Sequence, residues 1–317
     1  MARRLRLYFA TDVHGSEQCF RKFLNAGAAY EPDAMVLGGD VAGKAVQAIV
    51  RHPDGRYRFT FRGRGHDLAE GEKLVRIERL IADNGFYPWR SGPGELERRI
   101  GDGTIEALLL DLMRERLEAW MALADERLRP RGLPAYWMLG NDDPPELLPL
   151  LDAARWGAHA EDRVLALGAE HQLVSLGYSN PTPWQSFREL SEDDLGARID
   201  ALFAEAGDPR RVVLNVHVPP FESGLDEAPV LDAGLRVQTQ AGQVKMGNVG
   251  STAVREAIER HQPLVSLHGH VHESAGFRRI GRTLAVNPGS DYGTGALNGA
   301  ILVLEGDRVK AHQLVRG

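Results

Sequence analysis

Three histidines stand two residues apart near the end of one apolar run, in the segment LVSLHGHVHES at residues 264–274. In an extended strand, residues two apart point to the same side. We therefore expect His268, His270 and His272 to direct their imidazole rings toward one place. Imidazole nitrogens bind transition metals and also exchange protons near neutral pH. The spacing thus indicates a site with metal or proton chemistry.

Four other apolar segments end in residues of the same chemical kind. LRLYFAT leads into TDVHG, AMVLGGD ends in an aspartate, PAYWML leads into GNDD, and RVVLNVHVPP contains an isolated histidine. Ligands of open α/β sheets bind at the carboxyl ends of the strands, so these loops are expected to meet at one edge. The residues that would meet there are Asp12, His14, Asp40, Asn141, His217, His270 and His272.

These candidate ligands comprise carboxylates, imidazoles and one amide oxygen. Such a set suits Mn, Fe, Zn, Co or Ni better than Ca, and it is larger than one ion requires. If Asp40 bridges two ions, they would lie roughly 3.5 to 4 Å apart, a separation that lets a metal pair bind the attacking and leaving oxygens of a phosphoryl group. The ligand set therefore predicts phosphoester hydrolysis with two divalent transition-metal ions, and we place Mn first.

The surrounding sequence alternates short apolar strands with amphipathic helices, which is typical of an α/β domain. Helices are expected at residues 16–29, 191–205 and 251–261. Beyond residue 263 the sequence alternates like antiparallel strands, with a Gly-Asp turn near its end. The segments that position the candidate ligands are therefore predicted to be the strands of a mixed sheet structure.

The alternation is interrupted after Asp40, because the next core strand begins only at residue 134. A βαβ connection is usually much shorter. We therefore predict a core formed by residues 1–43 and 131–317, with an insertion at residues 44–130. Within the insertion, Asp54-Gly55 and the alternating residues after it indicate a β-hairpin, and the segments that follow are mostly helical.

Composition limits the kinds of partner that the chain can have. A formal net charge of −6 and a sequence pI near 6.0 give no overall attraction to nucleic acid or to anionic membranes. Cys19 is the single cysteine, so the chain has no internal disulfide. The apolar stretch of MARRLRLYFATD stops at Asp12, too early for a signal peptide or a membrane span. We expect a cytoplasmic protein with a small phosphoester substrate and no membrane partner, its oligomeric state left open.

Five of these motifs together resemble those of the calcineurin-like metallophosphoesterases. They are DVH, GGD, GND, the VH before PP, and GHVH, in that order and at strand ends. SNPTPW, HVPPFESGLDE, GSTAVREAIERHQPL and VNPGS are similar to the Icc-related predicted phosphoesterases. The resemblance covers about residues 5–43 and 133–305. It implies a four-layer α/β/β/α sandwich, with a dinuclear metal site at one edge of the sheets.

The resemblance also implies a role for each motif residue. The ligands would be Asp12, His14 and His272 for the first metal, Asp40 as the bridge, and Asn141, His217 and His270 for the second. A water or hydroxide between the metals would attack phosphorus directly, without a covalent intermediate. Taken singly, each motif has a simpler interpretation as a turn or a core residue. Five of them in order at successive strand ends favour the metal site.

Two candidate catalytic residues, Asp142 and His268, lie beside these ligands. Many members of the family have a histidine after the GN asparagine, where this chain has Asp142, so the family's proton donor does not transfer. Beside two cations Asp142 is expected to be ionised, and it would repel a monoester dianion more than a diester monoanion. This favours a phosphodiesterase. His268 is expected to be a core residue or a hydrogen-bonding partner of the ligands, although a role as proton donor stays open.

Two alternative functions follow from other features. The insertion carries arginines that could hold single-stranded nucleic acid, although a solvated strand face explains them as well; these are Arg56, Arg58, Arg62 and Arg64. A nuclease is therefore possible but not favoured. A non-catalytic scaffold that binds a partner protein is the other alternative. Such a scaffold is expected to lose ligands, and this chain keeps all seven.

Several polar residues near the motifs are weaker candidates. Asn180, Thr182 and Trp184 in SNPTPW could form a wall for the substrate, and Asn287 in VNPGS could lie behind the metals. Proline and glycine in both segments are equally typical of rigid turns. Asp143 could orient a ligand or cap a helix ahead of the following prolines.

Overall fold

The computed structural model describes residues 4–232, 234–240 and 242–317 of the chain. Its α-helices are α1 (Glu17–Ala29), α2 (Glu72–Asp83), α3 (Glu95–Gly101), α4 (Ile105–Leu128), α5 (Leu148–Asp152), α6 (Glu192–Glu205) and α7 (Thr252–His261). Its first ten strands are β1 (Arg4–Ala10), β2 (Ala34–Gly38), β3 (Ala45–Arg51), β4 (Tyr57–Phe61), β5 (Arg64–Leu68), β6 (Phe86–Ser91), β7 (Ala135–Met138), β8 (Ala158–His159), β9 (Arg163–Leu167) and β10 (His171–Leu176). The later strands are β11 (Val212–Val216), β12 (Glu227–Pro229), β13 (Thr239–Gln240), β14 (Gln243–Val244), β15 (Met246–Asn248), β16 (Val265–Leu267), β17 (Gly276–Ile280), β18 (Thr283–Asn287), β19 (Asn298–Glu305) and β20 (Arg308–Arg316).

Two six-stranded sheets form the centre of the molecule. The first has the strand order β20-β19-β1-β2-β7-β8, and the second has the order β17-β18-β16-β11-β10-β9. Strands β1, β2 and β7 run parallel to one another in the first sheet, as do β10, β11, β16 and β18 in the second. The carboxyl ends of the parallel strands in each sheet therefore lie at one edge.

The two sheets pack face to face, and helices cover their outer faces. Alternation along β1 shows how the sequence specifies this arrangement: Leu7 and Phe9 face the second sheet, whereas Tyr8 and Ala10 face the helices. Helices α1 and α4 cover the first sheet, and α6 and α7 cover the second. The result is the four-layer α/β/β/α sandwich that the resemblance implies.

Serine residues begin the three helices that the sequence predicted in the core. The hydroxyl oxygens of Ser16, Ser191 and Ser251 accept hydrogen bonds from backbone N–H groups in the first turns of α1, α6 and α7. A serine at this position satisfies an N–H group that the helix itself leaves free. The predicted boundaries are therefore confirmed to within one residue.

The segment between β2 and β7 contains more strand than the sequence predicted. It forms a four-stranded sheet in the order β5-β4-β3-β6 and carries α2, α3 and α4. The predicted hairpin corresponds to β3 and β4, but β6 was missed because it pairs in parallel with β3 from a distant part of the chain. Helix α4 also joins the main core, where Trp120 stacks on Phe20 with ring centroids 4.2 Å apart. The division of the chain into core and insertion stays a prediction.

Within the part of the chain that the structure describes, no helix combines the length and the apolar character that crossing a membrane requires.

Candidate metal centre

The loops that follow five strands bring the seven candidate ligands to neighbouring positions. β1 precedes Asp12 and His14, β2 precedes Asp40, β7 precedes Asn141, β11 precedes His217, and β16 precedes His270 and His272. Neighbouring strands of each sheet are parallel at this edge, so their loops emerge on the same side. The placement of the motifs at strand ends agrees with the sequence prediction.

The carboxylate of Asp12 lies among three of the histidines. Its Oδ1 atom is 3.3 Å from Nε2 of His272, 3.8 Å from Nε2 of His217 and 3.9 Å from Nε2 of His14. The Nε2 atoms of His14 and His272 are 3.0 Å apart. One carboxylate and two imidazoles this close together form a set of the kind that binds a transition-metal ion. Asp12, His14 and His272 therefore fit one metal ion.

Asp40 lies between histidines that the resemblance assigns to different metals. Its Oδ2 atom is 3.6 Å from Nε2 of His14, and its Oδ1 atom is 3.4 Å from Nε2 of His217. Each carboxylate oxygen thus faces one histidine. Three groups of residues each bring their possible ligand atoms within 4.8 Å of one another. They are Asp12, His14 and His272; Asp12, Asp40 and His217; and His14, Asp40 and Asp142.

Asn141 and His270 meet beside these groups. The Nδ1 atom of His270 lies 2.8 Å from Oδ1 of Asn141. The amide nitrogen of Asn141 donates to the hydroxyl of Ser186 at 2.8 Å and to Asp142 at 3.2 Å. These two contacts turn the amide oxygen toward His270. A metal ligand needs this orientation, because the oxygen binds and the NH₂ group cannot.

The two acidic candidate ligands are held in their ionised forms. Burial disfavours charge on Asp12, but its hydrogen bond with His272 and the charges of His217 and His272 lower its pKa to about 2. Burial likewise opposes charge on Asp40, and His217 and His14 hold its pKa well below the usual range. Carboxylates must be ionised to bind a metal. Both residues therefore have the protonation state that the proposed ligands require.

The histidines differ in their preference for a proton. Burial lowers the pKa of His14 to about 3 and that of His270 to about 4, so both rings are neutral at pH 7. Burial opposes a charge on His217 as well, yet the neighbouring Asp40 and Asp12 raise its pKa to about 10. A divalent ion would replace the proton of His217, since it offers positive charge at the same place.

The ring of His217 is oriented by the backbone. Its Nδ1 atom donates to the carbonyl oxygen of Gly38 at 2.9 Å, which leaves Nε2 directed at Asp12 and Asp40. Nε2 of His217 and Nδ1 of His14 are buried and make no hydrogen bond to another described residue. Metal-binding histidines commonly donate their other ring N–H to a carbonyl group. The orientation of His217 therefore fits a metal ligand.

Four candidate ligands have left-handed backbone conformations. The φ angles are 53° for Asp12, 40° for His14, 48° for Asp40 and 65° for His270. Residues other than glycine seldom adopt such values, and they occur where the surrounding structure requires them. The loops that carry these four residues are therefore strained.

Gly269 lets the GHVH loop approach the ligands closely. A Cβ atom at this position would lie closer than 3.0 Å to Oδ2 of Asp12 and to Oγ1 of Thr11. The backbone N–H of His270 donates to both carboxylate oxygens of Asp12, at 3.1 and 3.2 Å. An added methyl group would separate this loop from Asp12.

We expect Gly269→Ala to weaken metal binding by about 10- to 100-fold, as changes beside ligands commonly do. Calorimetric titration of the metal-free protein with Mn²⁺ would measure the change. Gly65→Ala is the control, because a Cβ atom there meets nothing within 4 Å. Equal Mn²⁺ affinity in the Gly269 variant and the control would show that the close approach is unimportant.

His268 is buried behind the ligands and has partners at both ring nitrogens. Nδ1 donates to the carbonyl oxygens of Val216 at 2.9 Å and Val218 at 3.0 Å, on either side of His217, and Nε2 accepts from the hydroxyl of Ser266 at 2.5 Å. Burial lowers the pKa of His268 to about 4. These contacts do not support the suggestion that His268 donates a proton to the substrate. They fit a residue that positions His217.

Asp142 has a partner that the sequence did not indicate. Its Oδ2 atom contacts Nζ of Lys44, and its backbone N–H donates to Oδ1 of Asp40 at 3.0 Å. Burial raises the pKa of Asp142 and Asp40 raises it further, whereas Lys44 opposes both. The expectation of a strong repulsion between Asp142 and the substrate assumed no nearby cation. Lys44 reduces that repulsion.

Asp143 and Asn287 were candidates from the sequence, and both make hydrogen bonds to the loops of the candidate site. Asp143 accepts backbone N–H groups of Gly140, Val41 and Ala42 at 2.7, 3.0 and 2.8 Å, so it ties the GND loop to the GGD loop and caps no helix. The amide nitrogen of Asn287 donates to carbonyl oxygens of the GHVH loop. Both residues thus hold the backbones that carry ligands.

Tyr292 and Ser290 were not predicted. The Tyr292 ring centroid lies 4.6 Å from that of His14, and the hydroxyl of Ser290 donates to the carbonyl oxygen of Asp12 at 2.7 Å. Both residues lie in the loop after β18, which is another parallel strand of the second sheet. The position of GSDYG after an apolar strand could have indicated them.

Most of the arginines that could hold nucleic acid contact other groups of the chain. Arg56 and Arg58 contact Asp67 on the same small sheet, and Arg62 contacts the carbonyl oxygen of Gly293. These contacts do not favour a nucleic-acid site.

In SNPTPW, Asn180 donates to the carbonyl oxygen of Gly250 at 3.3 Å, Thr182 contacts Glu189, and Trp184 is 50% exposed. A substrate wall at this segment stays a prediction.

Comparison with known proteins supports the fold. No family model matches the chain. One relative, an uncharacterised protein of Methanocaldococcus jannaschii, is 26% identical over 151 residues, which is 47% of this chain and only 61% of that protein. A solved crystal structure with 15% identity aligns over 99% of both chains with a TM-score of 0.56. The structure of TT1561 of Thermus thermophilus aligns over 99% of both chains with 13% identity and a TM-score of 0.52. These two structures share the fold of this chain.

Proposed function

We propose that the chain is a metal-dependent phosphoester hydrolase of the calcineurin-like superfamily, with two divalent transition-metal ions. The position of Asp40 carries this proposal, because its two carboxylate oxygens face His14 and His217. A carboxylate placed in this way can bridge two ions. The arrangement of Asp12 among the same histidines supports a shared site. Assignment to the Icc-related branch is part of the proposal and rests on the sequence motifs.

Two ions bound here would supply positive charge that lowers the pKa of water and neutralises a phosphoryl group. The chain itself fixes the ligands before substrate arrives. Gly38 orients the ring of His217, Ser186 orients the amide of Asn141, and Asp143 ties together the two loops that carry Asp40 and Asn141. Such fixed groups favour catalysis because they need little rearrangement during the reaction.

We further propose that phosphodiesters are the preferred substrates. The carboxylates of Asp12 and Asp40 lie at the site, and Asp142 adds a third. At ~5 Å and an effective dielectric near 20, one carboxylate repels each substrate charge by roughly 3 kcal/mol before any compensation. A monoester dianion carries more charge than a diester monoanion and is repelled more. Lys44 and the ions act in the opposite direction, so the proposed preference depends on the proximity of Asp142 to the entering phosphoryl group.

The function is tested with metal-free protein reloaded separately with Mn, Co, Ni, Zn or Mg. Hydrolysis of a panel of monoesters, diesters and cyclic phosphoesters is then measured. We expect Mn to restore activity toward bis(p-nitrophenyl) phosphate, whose aryl leaving group needs little protonation. Alkyl esters should react more slowly. Absence of hydrolysis of every ester, with the ions shown to be bound, would contradict the proposed function.

A further inference from the structure

The loop after Asp40 carries a lysine that belongs to none of the ligand motifs. Lys44 directly precedes β3, at the start of the segment between β2 and β7. The N–H of Gly43 donates to the hydroxyl of Tyr87 at 2.9 Å, and a Cβ atom on Gly43 would lie closer than 3.0 Å to the carbonyl oxygen of Gly85. The backbone that holds Lys44 is therefore packed tightly against β6 and the turn before it.

The ammonium group of Lys44 reaches the edge of the candidate metal centre. Nζ contacts Oδ2 of Asp142, and the other carboxylate oxygen of Asp142 accepts from the amide of Asn141 at 3.2 Å. Asp142 also donates its backbone N–H to Asp40. A carboxylate oxygen of Asp142 lies within 4.8 Å of ligand atoms of His14 and Asp40. Asp142 therefore lies between Lys44 and two candidate ligands, Asp40 and His14.

Two arginines near the same loops are engaged elsewhere. Arg188 is 2% exposed, pairs with Glu161 and donates to the carbonyl oxygen of Gly140 at 3.1 Å. Arg116 donates to the carbonyl oxygens of Gly15 and Phe86 at 2.7 and 3.0 Å. The side chain of Lys44 is instead 50% exposed. Half of the Lys44 side chain is thus accessible to a ligand that enters from solvent.

A lysine ammonium carries three N–H donors, and the contact with Asp142 uses one of them. Phosphoryl oxygens are suitable acceptors for the others, since charge-assisted hydrogen bonds of this kind are strong. We propose that Lys44 binds a phosphoryl oxygen of the substrate and that Asp142 is a positioning residue that holds Lys44 for this contact. The proposal rests on the proposed phosphoesterase function and names the residue that orients its substrate.

The pair also bears on substrate preference. Lys44 compensates the negative charge that Asp142 presents to the phosphoryl group. Removal of Lys44 would leave that carboxylate unpaired, and a monoester dianion would be disfavoured more than a diester monoanion. The discrimination between the two ester classes is therefore expected to increase when Lys44 is lost.

The experiment uses the Mn-loaded full chain and the variants Lys44→Ala, Lys44→Arg and Lys310→Ala. Lys310 is the matched control, because it is 43% exposed and pairs with Glu305 near the amino end of β1, at the opposite edge of the first sheet. Metal content is measured by elemental analysis, affinity for inorganic phosphate by calorimetry, and kcat and KM with p-nitrophenyl phosphate and bis(p-nitrophenyl) phosphate.

We expect Lys44→Ala to retain the wild-type metal content and to bind inorganic phosphate about tenfold or more weakly, as the loss of a charged hydrogen bond would cause. The KM for p-nitrophenyl phosphate should rise more than the KM for bis(p-nitrophenyl) phosphate. Lys44→Arg should restore part of the phosphate affinity, and Lys310→Ala should match the wild type.

Unchanged phosphate affinity in Lys44→Ala would overturn the proposal, as would a loss of metal in that variant, which would mean that Lys44 supports the ligands. Asp142→Asn tests the positioning role. Its effect on phosphate affinity should be non-additive with that of Lys44→Ala, and a loss of metal would instead identify Asp142 as a ligand. If the wild type loads metal but neither binds phosphate nor hydrolyses either ester, both the proposed function and this inference fail.

Discussion

Asp40→Ala is expected to abolish hydrolysis and to reduce the amount of metal that the protein binds. Asp40 faces His14 through one oxygen and His217 through the other, so its removal takes a ligand from both proposed ions. The loss of activity should exceed the roughly 10- to 100-fold that changes beside ligands cause. Elemental analysis and hydrolysis of bis(p-nitrophenyl) phosphate would measure both effects.

The isosteric variant Asp40→Asn removes the charge of the carboxylate but keeps its shape. It keeps one oxygen that can bind an ion, so we expect it to retain more metal than Asp40→Ala while its activity stays low. The exposed Asp307, in the turn between β19 and β20, provides a control through Asp307→Ala. Circular dichroism would verify that each variant is folded. Full activity with two tightly bound ions in folded Asp40→Ala would contradict the bridging role.

The second large effect is a difference in metal binding and hydrolysis among variants of the three histidines of LVSLHGHVHES. His272→Ala removes the ring whose Nε2 lies 3.0 Å from that of His14, and His270→Ala removes the ring beside the amide oxygen of Asn141. Each substitution should lower metal content and reduce hydrolysis by more than roughly 100-fold, because it removes a proposed ligand and not merely a residue that supports one. Mn²⁺ titration and steady-state kinetics would measure the losses.

His268→Ala should behave differently. Its two ring nitrogens are engaged by Ser266 and by the carbonyl oxygens on both sides of His217, so metal affinity should fall by about 10- to 100-fold at most. The cavity left by the buried ring should also lower the thermal unfolding temperature. His268→Gln, which can retain a donor, is the matched variant. A complete loss of metal in both His268 variants would show that the assignment of ligands to GHVH is out of register.

The strand ends could be predicted from the sequence because their signals are local. Apolar runs predicted β1, β2, β7, β11 and β16, and the parallel arrangement of these strands made one edge of the sheets the meeting place for the motif residues. The helices expected at residues 16–29 and 251–261 also formed, and each begins after a serine whose hydroxyl accepts a hydrogen bond from the first turn. The seven candidate ligands followed from these local signals, whereas the four-layer sandwich was what the resemblance to the metallophosphoesterases implied.

The features that the sequence did not predict depend on contacts between distant residues. Strand β6 pairs with β3 across the intervening hairpin and helix α2, so its six residues carried no local signal strong enough to identify it. The pairing of Lys44 with Asp142 joins a residue just before β3 to a residue just after β7, far apart in the chain. His268 was expected to be a core residue or a hydrogen-bonding partner of the ligands, but its spacing did not indicate its actual partners, Ser266, Val216 and Val218.

We propose that one carboxylate, that of Asp40, joins two metal ions in a single site. Electron paramagnetic resonance of the protein titrated with Mn²⁺ tests it most directly, because two ions joined by a shared ligand interact magnetically. We predict that the spectrum of two magnetically coupled ions develops as the second ion binds, and that Asp40→Ala does not show it. Saturation by one ion, or two ions that give only the spectrum of isolated Mn²⁺, would contradict the account.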